Sequence, residues 1–274
     1  MGKIATGILA KGNGWKAADA ICTSGPADRP FEEQHDSLSI AVVLEGSFRY
    51  RSTHGSVILS PGSLLLGTPG ECYECGHEHV TGDRCLALYY TPDFFERAGL
   101  KGGFPIHRVP PIGALTPLIV KSRIGVAKPD EVLFEDLAFG LAEVVANVVG
   151  GSRDAGRAPT AADERRVSAA LRFIESNLAE ALPLDLLASN AKMSDFHFLR
   201  VFRQVTGVTP HQHILRSRLR EAALRLGTTS DDVVFVAMDS GFRDLSHFNH
   251  VFRAEFGLSP TQFRKKFQKR NAPE

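Results

Sequence analysis

The sequence of 274 residues contains few cysteines, a single tryptophan and no long apolar run. Its four cysteines, two of them spaced C-x-x-C, favour a reducing compartment over a disulfide-linked scaffold. No stretch reaches the roughly 18 consecutive apolar residues that span a membrane. No basic segment followed by an apolar one opens the chain, so no secretory signal is predicted. We therefore expect a folded cytoplasmic protein with no membrane partner.

The net charge of +1 conceals an asymmetry between two parts of the chain. Residues 1–163 contain 15 Lys and Arg against 19 Asp and Glu, which gives −4, whereas residues 164–274 contain 17 against 12, which gives +5. Basic charge concentrated in one segment is a weak indication of nucleic-acid binding.

Composition and periodicity divide the chain into two domains and a linker. Short apolar runs separated by Gly, Pro and Ser between Phe31 and Tyr90 predict antiparallel strands in a sandwich or small barrel. The small polar segment "GGSRDAGRAPTAAD" predicts a flexible linker over 150–163. The predicted fold class is α+β: an antiparallel β-barrel with helices over 1–149, then an all-α domain over 164–274.

A long apolar helix precedes the linker. The segment "DEVLFEDLAFGLAEVVANVVGG" predicts a helix with Asp130 as its N-cap and Gly150 just past its end. Its apolar residues recur at helical spacing, which is more often typical of a core. An interface between two copies of the chain is the alternative.

Two segments of the basic domain repeat each other. "HFLRVFRQVTGVTP", His197 to Pro210, aligns with "HFNHVFRAEFGLSP", His247 to Pro260, at an offset of fifty residues. In each copy Phe, Val and Phe fall on one face of a helix, and a glycine then suits a left-handed helix end. A shorter helix precedes each copy, so the pattern predicts two helix-turn-helix units joined by a long helix, Pro210 to Leu226.

These residues resemble the DNA-binding domain of AraC/XylS-type bacterial transcriptional regulators. The resemblance covers Arg165 to Phe267, and "VAMDSGFRDLSHFNHVFRAEFGLSPTQFRK" matches the family signature along nearly its full length. It implies that the second helix of each unit enters the major groove of double-stranded promoter or operator DNA.

The resemblance also implies which residues contact DNA. The positions that read bases correspond to Phe196, Leu199, Arg200, Leu245, Ser246, Asn249 and His250. Arginine is suited to guanine and asparagine to adenine. Arg203 and Arg253 recur in both units, so we expect phosphate contacts there. A surface arginine paired with a nearby acid is the alternative.

The first domain resembles the cupin-like barrel that senses effectors or mediates dimerisation in this family. The resemblance is looser and depends on "VVLEGSFRYRS" followed by "LSPGSLLLGTPGE". A metal-dependent cupin enzyme would have an H-x-H pair and a later Glu early in the barrel, whereas here His35 is isolated. We therefore expect no enzyme. The rival hypothesis is a metal-dependent cupin-type enzyme tethered to a DNA-binding domain.

One segment of the first domain, "ECYECGHEHVTGDRC", is rich in potential metal ligands. Zinc, or another thiophilic metal such as copper(I), could use the donors Cys72, Cys75, His77, His79 and Cys85. Cys22, placed before the predicted barrel, is a further candidate. Two alternatives stay open: thiols that respond to oxidants or electrophiles, and a structural strand connection or ordinary effector pocket.

The sequence therefore predicts a DNA-binding transcriptional regulator whose first domain senses an effector of undetermined chemistry. RNA polymerase and a second copy of the chain are the other expected partners.

Overall fold

The computed structural model of the chain describes residues 4–25, 28, 32–53, 55–77, 82–97, 102–151 and 159–270. Its N-terminal part is built from strands, here numbered in chain order: β1 (Ile4–Gly12), β2 (Trp15–Cys22), β3 (Glu32–Gln34), β4 (Leu38–Glu45), β5 (Phe48–Ser52), β6 (Gly55–Leu59), β7 (Leu64–Gly67), β8 (Cys72–His77), β9 (Asp83–Tyr90) and β10 (Arg108–Val109).

The strands form two antiparallel sheets, in agreement with the predicted antiparallel β fold. A six-stranded sheet has the order β1-β2-β9-β4-β7-β10, and a four-stranded sheet has the order β3-β8-β5-β6. The sheets face each other across a small apolar core to which both contribute, with Val43 and Cys85 from one side and Phe48, Tyr50 and Leu59 from the other. β1 and β2 extend the sheet beyond the predicted strands, because β2 pairs with β9 along its whole length.

The remaining elements are helical. They are α1 (Pro92–Arg97), α2 (Thr116–Ala127), α3 (Glu131–Gly151), α4 (Ala161–Ser176), α5 (Leu184–Asn190), α6 (Asp195–Thr206), α7 (Pro210–Thr228), α8 (Val233–Asp239), α9 (Leu245–Phe256) and α10 (Pro260–Arg270). Asp130 caps α3 as predicted, since its carboxylate accepts a hydrogen bond from the Leu133 amide at 2.9 Å. Within the described ranges, no helix has the length and apolar character needed to cross a membrane.

The predicted linker is too long at both ends. α3 includes Gly150 and Gly151, and α4 begins at Ala161. A capping box explains the early start of α4: the Thr160 hydroxyl accepts a hydrogen bond from the Asp163 amide, and the Asp163 carboxylate accepts one from the Thr160 amide. Residues 152–158 of the predicted linker lie outside the described residues.

The second half of the chain contains the predicted pair of helix-turn-helix units, α5–α6 and α8–α9, joined by α7. Phe198 and Phe202 in the first unit, and Phe248 and Phe252 in the second, are completely buried. Both recognition helices end at a left-handed glycine, Gly207 with φ 83° and Gly257 with φ 69°. The repeated Phe-x-x-Val-Phe-Arg and Gly thus build the same local structure twice.

The two halves of the molecule share an apolar core that their separate sequence patterns do not reveal. Leu219, Leu226 and Phe252 of the helical part belong to the same buried cluster as Ile119 and Val120 of α2. The first unit instead packs in its own cluster with α4 and with Ile58 of β6. The N-terminal part therefore contacts both units, through different elements.

Candidate nucleic-acid interface and effector cavity

The first recognition helix, α6, presents two arginines to solvent. Arg200 and Arg203 are exposed, whereas Leu199 is half-buried in the groove between the two units. The side chain of Phe196 lies outside what the structure describes. Among the residues that the structure describes, no acidic side chain forms an ion pair with either arginine. That leaves both guanidinium groups available to an external acceptor.

The second recognition helix, α9, presents a polar face. Ser246, Asn249, His250 and Arg253 are exposed and lie on one side of the helix, while Leu245 is half-buried against the main core. Asp244 acts as the N-cap, because its carboxylate accepts a hydrogen bond from the His247 amide at 2.6 Å. Hydrogen-bonding groups of the kinds that read base edges are therefore concentrated on the second unit.

The spacing between the two units is held by hydrogen bonds across the groove. Arg218 of α7 donates hydrogen bonds to the carbonyl oxygens of Leu178 and Glu180, at 2.8 Å and 2.6 Å. Gly241, in the turn of the second unit, lies so close to Leu178 that an added Cβ would be 2.5 Å from its carbonyl oxygen. Only glycine fits there, and its φ of 89° also favours glycine.

The N-terminal part holds both recognition helices from behind. Arg108 of β10 donates a hydrogen bond to the Val205 carbonyl of α6, and Thr116 at the start of α2 donates one to Glu255 of α9. Val205 and Glu255 lie on the sides of their helices opposite the exposed faces. The surfaces proposed to meet DNA therefore remain open while their backs are in contact with the other domain.

A cavity of about 400 Å³ opens between the two sheets. Among the residues that the structure describes, its lining includes three carboxylic acids, three thiols and one histidine, with neither lysine nor arginine: Glu33, Asp36, Asp83, Cys22, Cys75, Cys85 and His35. Aromatic rings complete the wall, with His35 stacked on Tyr73 at 4.3 Å between ring centroids. The size suits a small ligand.

Three side chains meet at one end of this cavity. The Cys22 sulfur lies 3.4 Å from Nε2 of His77, and Nδ1 of the same ring lies 3.1 Å from Oδ2 of Asp83. The His77 and Asp83 side chains are 6% and 8% exposed. Their 3.1 Å contact is that of an ion pair, although the two atoms are not aligned as a hydrogen bond.

The protonation of these groups reflects their contacts. Burial would raise the pKa of the Cys22 thiol, but its hydrogen bonds with His77 and Ser24 outweigh burial and lower the pKa. Burial likewise opposes protonation of His77, yet Asp83 and Cys22 together raise the pKa of His77 to about 9. Burial, and then the negative charge of Asp83, raise the pKa values of Cys75 and Cys85.

The structure brings together only part of the predicted metal-ligand set. Cys75, which lines the cavity, and His77 lie on the same face of β8, but Cys72 lies on the opposite face because strand residues alternate. Its sulfur contacts Gln34 instead. The prediction that Cys72 joins the cluster is wrong for this reason. His79 lies outside the described residues.

In the cluster of Cys22, His77 and Asp83, the prediction from the sequence gives Cys22 only as a further candidate and does not name Asp83. Cys22 was a secondary candidate placed before the barrel, whereas it ends β2 within the large sheet. Asp83 is not in the predicted set, although it stands two residues before Cys85 and so faces the same way in a strand. That two-residue spacing was the signal that could have identified it.

Two family models match the chain. A model described as an AraC-like ligand binding domain matches residues 21–122, and one described as a helix-turn-helix domain matches residues 187–266. The first match contains the cavity residues Cys22 to Cys85, and the second contains both recognition helices.

Several known proteins are similar to about a third of this chain. The transcriptional activator AarP of Providencia stuartii is 36% identical over 98 residues, which cover 36% of this chain and 73% of AarP. The regulatory protein SoxS of Salmonella typhimurium is 33% identical over 94 residues, 34% of this chain and 88% of SoxS. The activator RhaS of Escherichia fergusonii is 33% identical over 102 residues, but the match spans only 37% of each chain.

All three relatives are named as activators or regulatory proteins, in agreement with the prediction that the chain is not an enzyme.

Proposed function

The chain belongs to the AraC family of transcriptional regulators, and from this membership we propose that it binds promoter or operator DNA through α6 and α9 under the control of an effector bound between its two sheets. The observation that carries the proposal is the pair of recognition helices whose exposed faces are polar or basic and whose opposite faces are buried.

The second unit makes most of the base-specific contacts in this proposal. Asn249 is suited to the N6 and N7 edge of adenine, and Ser246 and His250 on the same face reach neighbouring bases. In the first unit, Arg200 reads guanine. The apolar residues at the remaining reading positions contact thymine methyl groups or the sugar edge: Phe196, Leu199 and Leu245.

Arg203 and Arg253 bind phosphates in this proposal. Each stands in the last turn of its recognition helix, and each is exposed. Phosphate contacts hold the protein in register on the duplex and contribute affinity that does not depend on sequence.

Effector binding is transmitted through the contacts behind the recognition helices. Arg108 and Thr116 touch α6 and α9 directly, so a movement of either residue shifts the balance between arrangements of the two units. The effector thereby alters DNA affinity without contacting DNA.

We also propose that two copies of the chain pair through α3. Most of the predicted apolar stripe is core, including Leu133, Leu137 and Leu141, but Val132 and Phe139 are 60% and 54% exposed. Sedimentation of the intact protein tests this, with Phe139→Ser expected to shift a dimer towards monomer.

The principal test is binding of the purified chain to its own promoter region, measured by fluorescence anisotropy. We expect Asn249→Ala to lower affinity for the preferred site by about 5- to 150-fold, which corresponds to the 1–3 kcal/mol of one bidentate base contact. The same change should leave binding to unrelated DNA nearly unaltered.

Arg51→Ala is the control, because Arg51 is an exposed arginine on β5 and belongs to neither recognition helix. Equal losses for Asn249→Ala and Arg51→Ala, or equal losses on specific and unrelated DNA, would contradict base reading by α9.

A further inference from the structure

The cluster of Cys22, His77 and Asp83 is produced by the pairing of strands from both sheets. Cys22 and Asp83 are directly paired across β2 and β9, so their side chains leave the large sheet on the same face. His77 ends β8 in the facing sheet, opposite Phe48 of β5. Cys22 lies 55 positions before His77 and Asp83 follows His77 by six, yet strand pairing brings the three side chains to the same end of the cavity.

The backbone around Asp83 is tightly constrained. Gly82 has φ 69°, and a Cβ there would lie 1.9 Å from the Cys22 carbonyl oxygen. This contact requires glycine, and it sets Asp83 directly beside the end of β2. The position of the three side chains is therefore built into the sheet rather than left to a loose connection.

The charge of the cavity indicates the sign of its ligand. Glu33, Asp36 and Asp83 line it, and no lysine or arginine among the described residues does. An acidic lining attracts a cationic ligand and repels an anion, so this cavity favours a cation.

The donor atoms indicate its chemical class. Cys22, His77 and Asp83 each offer one atom, and these atoms lie within 4.8 Å of one another. Donors bound to one tetrahedral zinc ion lie about 3.5 Å apart, so the widest gap has to close by about 1 Å. Cys85 is adjacent, with its sulfur 3.8 Å from Oδ1 of Asp83, and Cys75 lines the same cavity.

We propose that Cys22, His77 and Asp83 form a binding site for a thiophilic divalent cation such as zinc, with Cys85 or Cys75 as the fourth ligand, and that this cation is the effector. Sulfur and imidazole ligands select such metals over magnesium or calcium. The second part of the inference rests on the proposed function of the chain as a DNA-binding regulator.

The site is connected to the first helix-turn-helix unit through the small sheet. β8 pairs with β5, and β5 pairs with β6. Arg49 of β5 donates a hydrogen bond at 2.7 Å to Glu164 of α4, and Ile58 of β6 is buried in the core of the first unit. Drawing His77 towards Cys22 and Asp83 therefore moves a sheet whose far edge supports α4 and α6.

The experiment uses the full-length protein, reduced and stripped of metal, and titrates it with zinc against a colorimetric chelator. We expect one equivalent to bind. Cobalt in place of zinc should give the intense sulfur-to-metal absorption that thiolate ligation produces. Cys22→Ser and Asp83→Asn should each weaken zinc binding by at least about 100-fold, since even the residues that only support metal ligands contribute 10- to 100-fold.

Cys72→Ser is the matched control, because Cys72 stands on the same strand as His77 but on the opposite face. It should retain full zinc affinity and the cobalt spectrum. Far-UV circular dichroism of each variant verifies that the sheets are intact. Substoichiometric zinc in the wild type, or equal loss in Cys72→Ser, would overturn the site.

A comparison of DNA binding by the metal-free and zinc-loaded forms distinguishes failure of this inference from failure of the proposed function. We expect zinc to change operator affinity by at least about fivefold, as is usual for allosteric coupling, and not in Cys22→Ser. Operator binding without zinc binding overturns the site alone, and zinc binding without operator binding overturns the proposed function. If the protein binds no zinc and alkylation of Cys22 changes operator binding, the metal proposal is overturned and the effector is an electrophile.

Discussion

The two helix-turn-helix units are alike in sequence but differ in their surroundings. The first packs with α4 and the edge of the small sheet, whereas the second shares a core with α2 and α10. Their reading faces differ too, since α9 carries Ser246, Asn249 and His250 and α6 carries mainly arginines. A duplicated unit has thus acquired one copy suited to base reading and one copy coupled to the small sheet, which forms one wall of the cavity.

The largest expected effect concerns the cores of the two units. Phe202→Ala and Phe252→Ala should each lower the free energy of unfolding by about 3–5 kcal/mol, because each removes a completely buried ring. Phe252→Ala should also loosen α2, whose residues share its core, whereas Phe202→Ala should leave α2 protected. Urea unfolding and amide hydrogen exchange measure the two effects. If both variants lower the hydrogen-exchange protection of α2 equally, the second unit is not coupled to α2 more strongly than the first.

A smaller effect concerns one buried ring that differs between the units. His213 packs on Phe202 in the first unit, as Phe263, fifty residues later, packs on Phe252 in the second. Burial, together with Arg220 and Arg216, lowers the pKa of His213 to about 3. The folded state therefore keeps this imidazole neutral, while the unfolded chain binds a proton below its ordinary pKa of 6.5.

The contribution of neutral His213 to the free energy of unfolding is thus fully present above pH 6.5 and decreases as the pH falls towards 3. We expect a loss of roughly 2 kcal/mol between pH 7 and pH 5, given 1.36 kcal/mol per pKa unit. His213→Phe, which copies the second unit, should reduce this acid dependence in urea unfolding. Phe263→Leu serves as the control without a titrating group. An unchanged pH profile in His213→Phe would contradict the assignment.

The smallest effect concerns the two arginines that recur at equivalent positions. Arg203→Ala and Arg253→Ala should each weaken binding to all DNA sequences similarly and should reduce the slope of log affinity against log salt by about 1. Anisotropy titrations at several salt concentrations measure the slope. If one variant instead changes the preferred sequence, that arginine reads a base, and the two units are less alike than their repeat suggests.

The helical domain was predicted in detail because its information is local. The Phe-x-x-Val-Phe pattern, the glycine at each helix end and the Thr or Ser before Pro210 and Pro260 act within one or two turns of helix. The strands β1 and β2 are not predicted from the sequence, because β1 pairs with β2 and β2 joins the sheet only through β9, far along the chain.

The predicted metal-ligand set is brought together only in part, for a related reason. The C-x-x-C spacing made Cys72 and Cys75 candidate ligands, but strand alternation puts them on opposite faces. Cys22 and Asp83 are 61 positions apart and meet only because β2 and β9 pair in register.

The amino-acid sequence by itself determined that this chain has two helix-turn-helix units, where each recognition helix begins and ends, and which of its faces is buried. Helical periodicity and capping are short-range, so the residues that specify them are neighbours in the chain. Tertiary structure alone decided that Cys22, His77 and Asp83 share one end of a cavity, and that the domain containing it holds both recognition helices from behind. Those contacts depend on strand register and on the packing of distant surfaces, which no local pattern records.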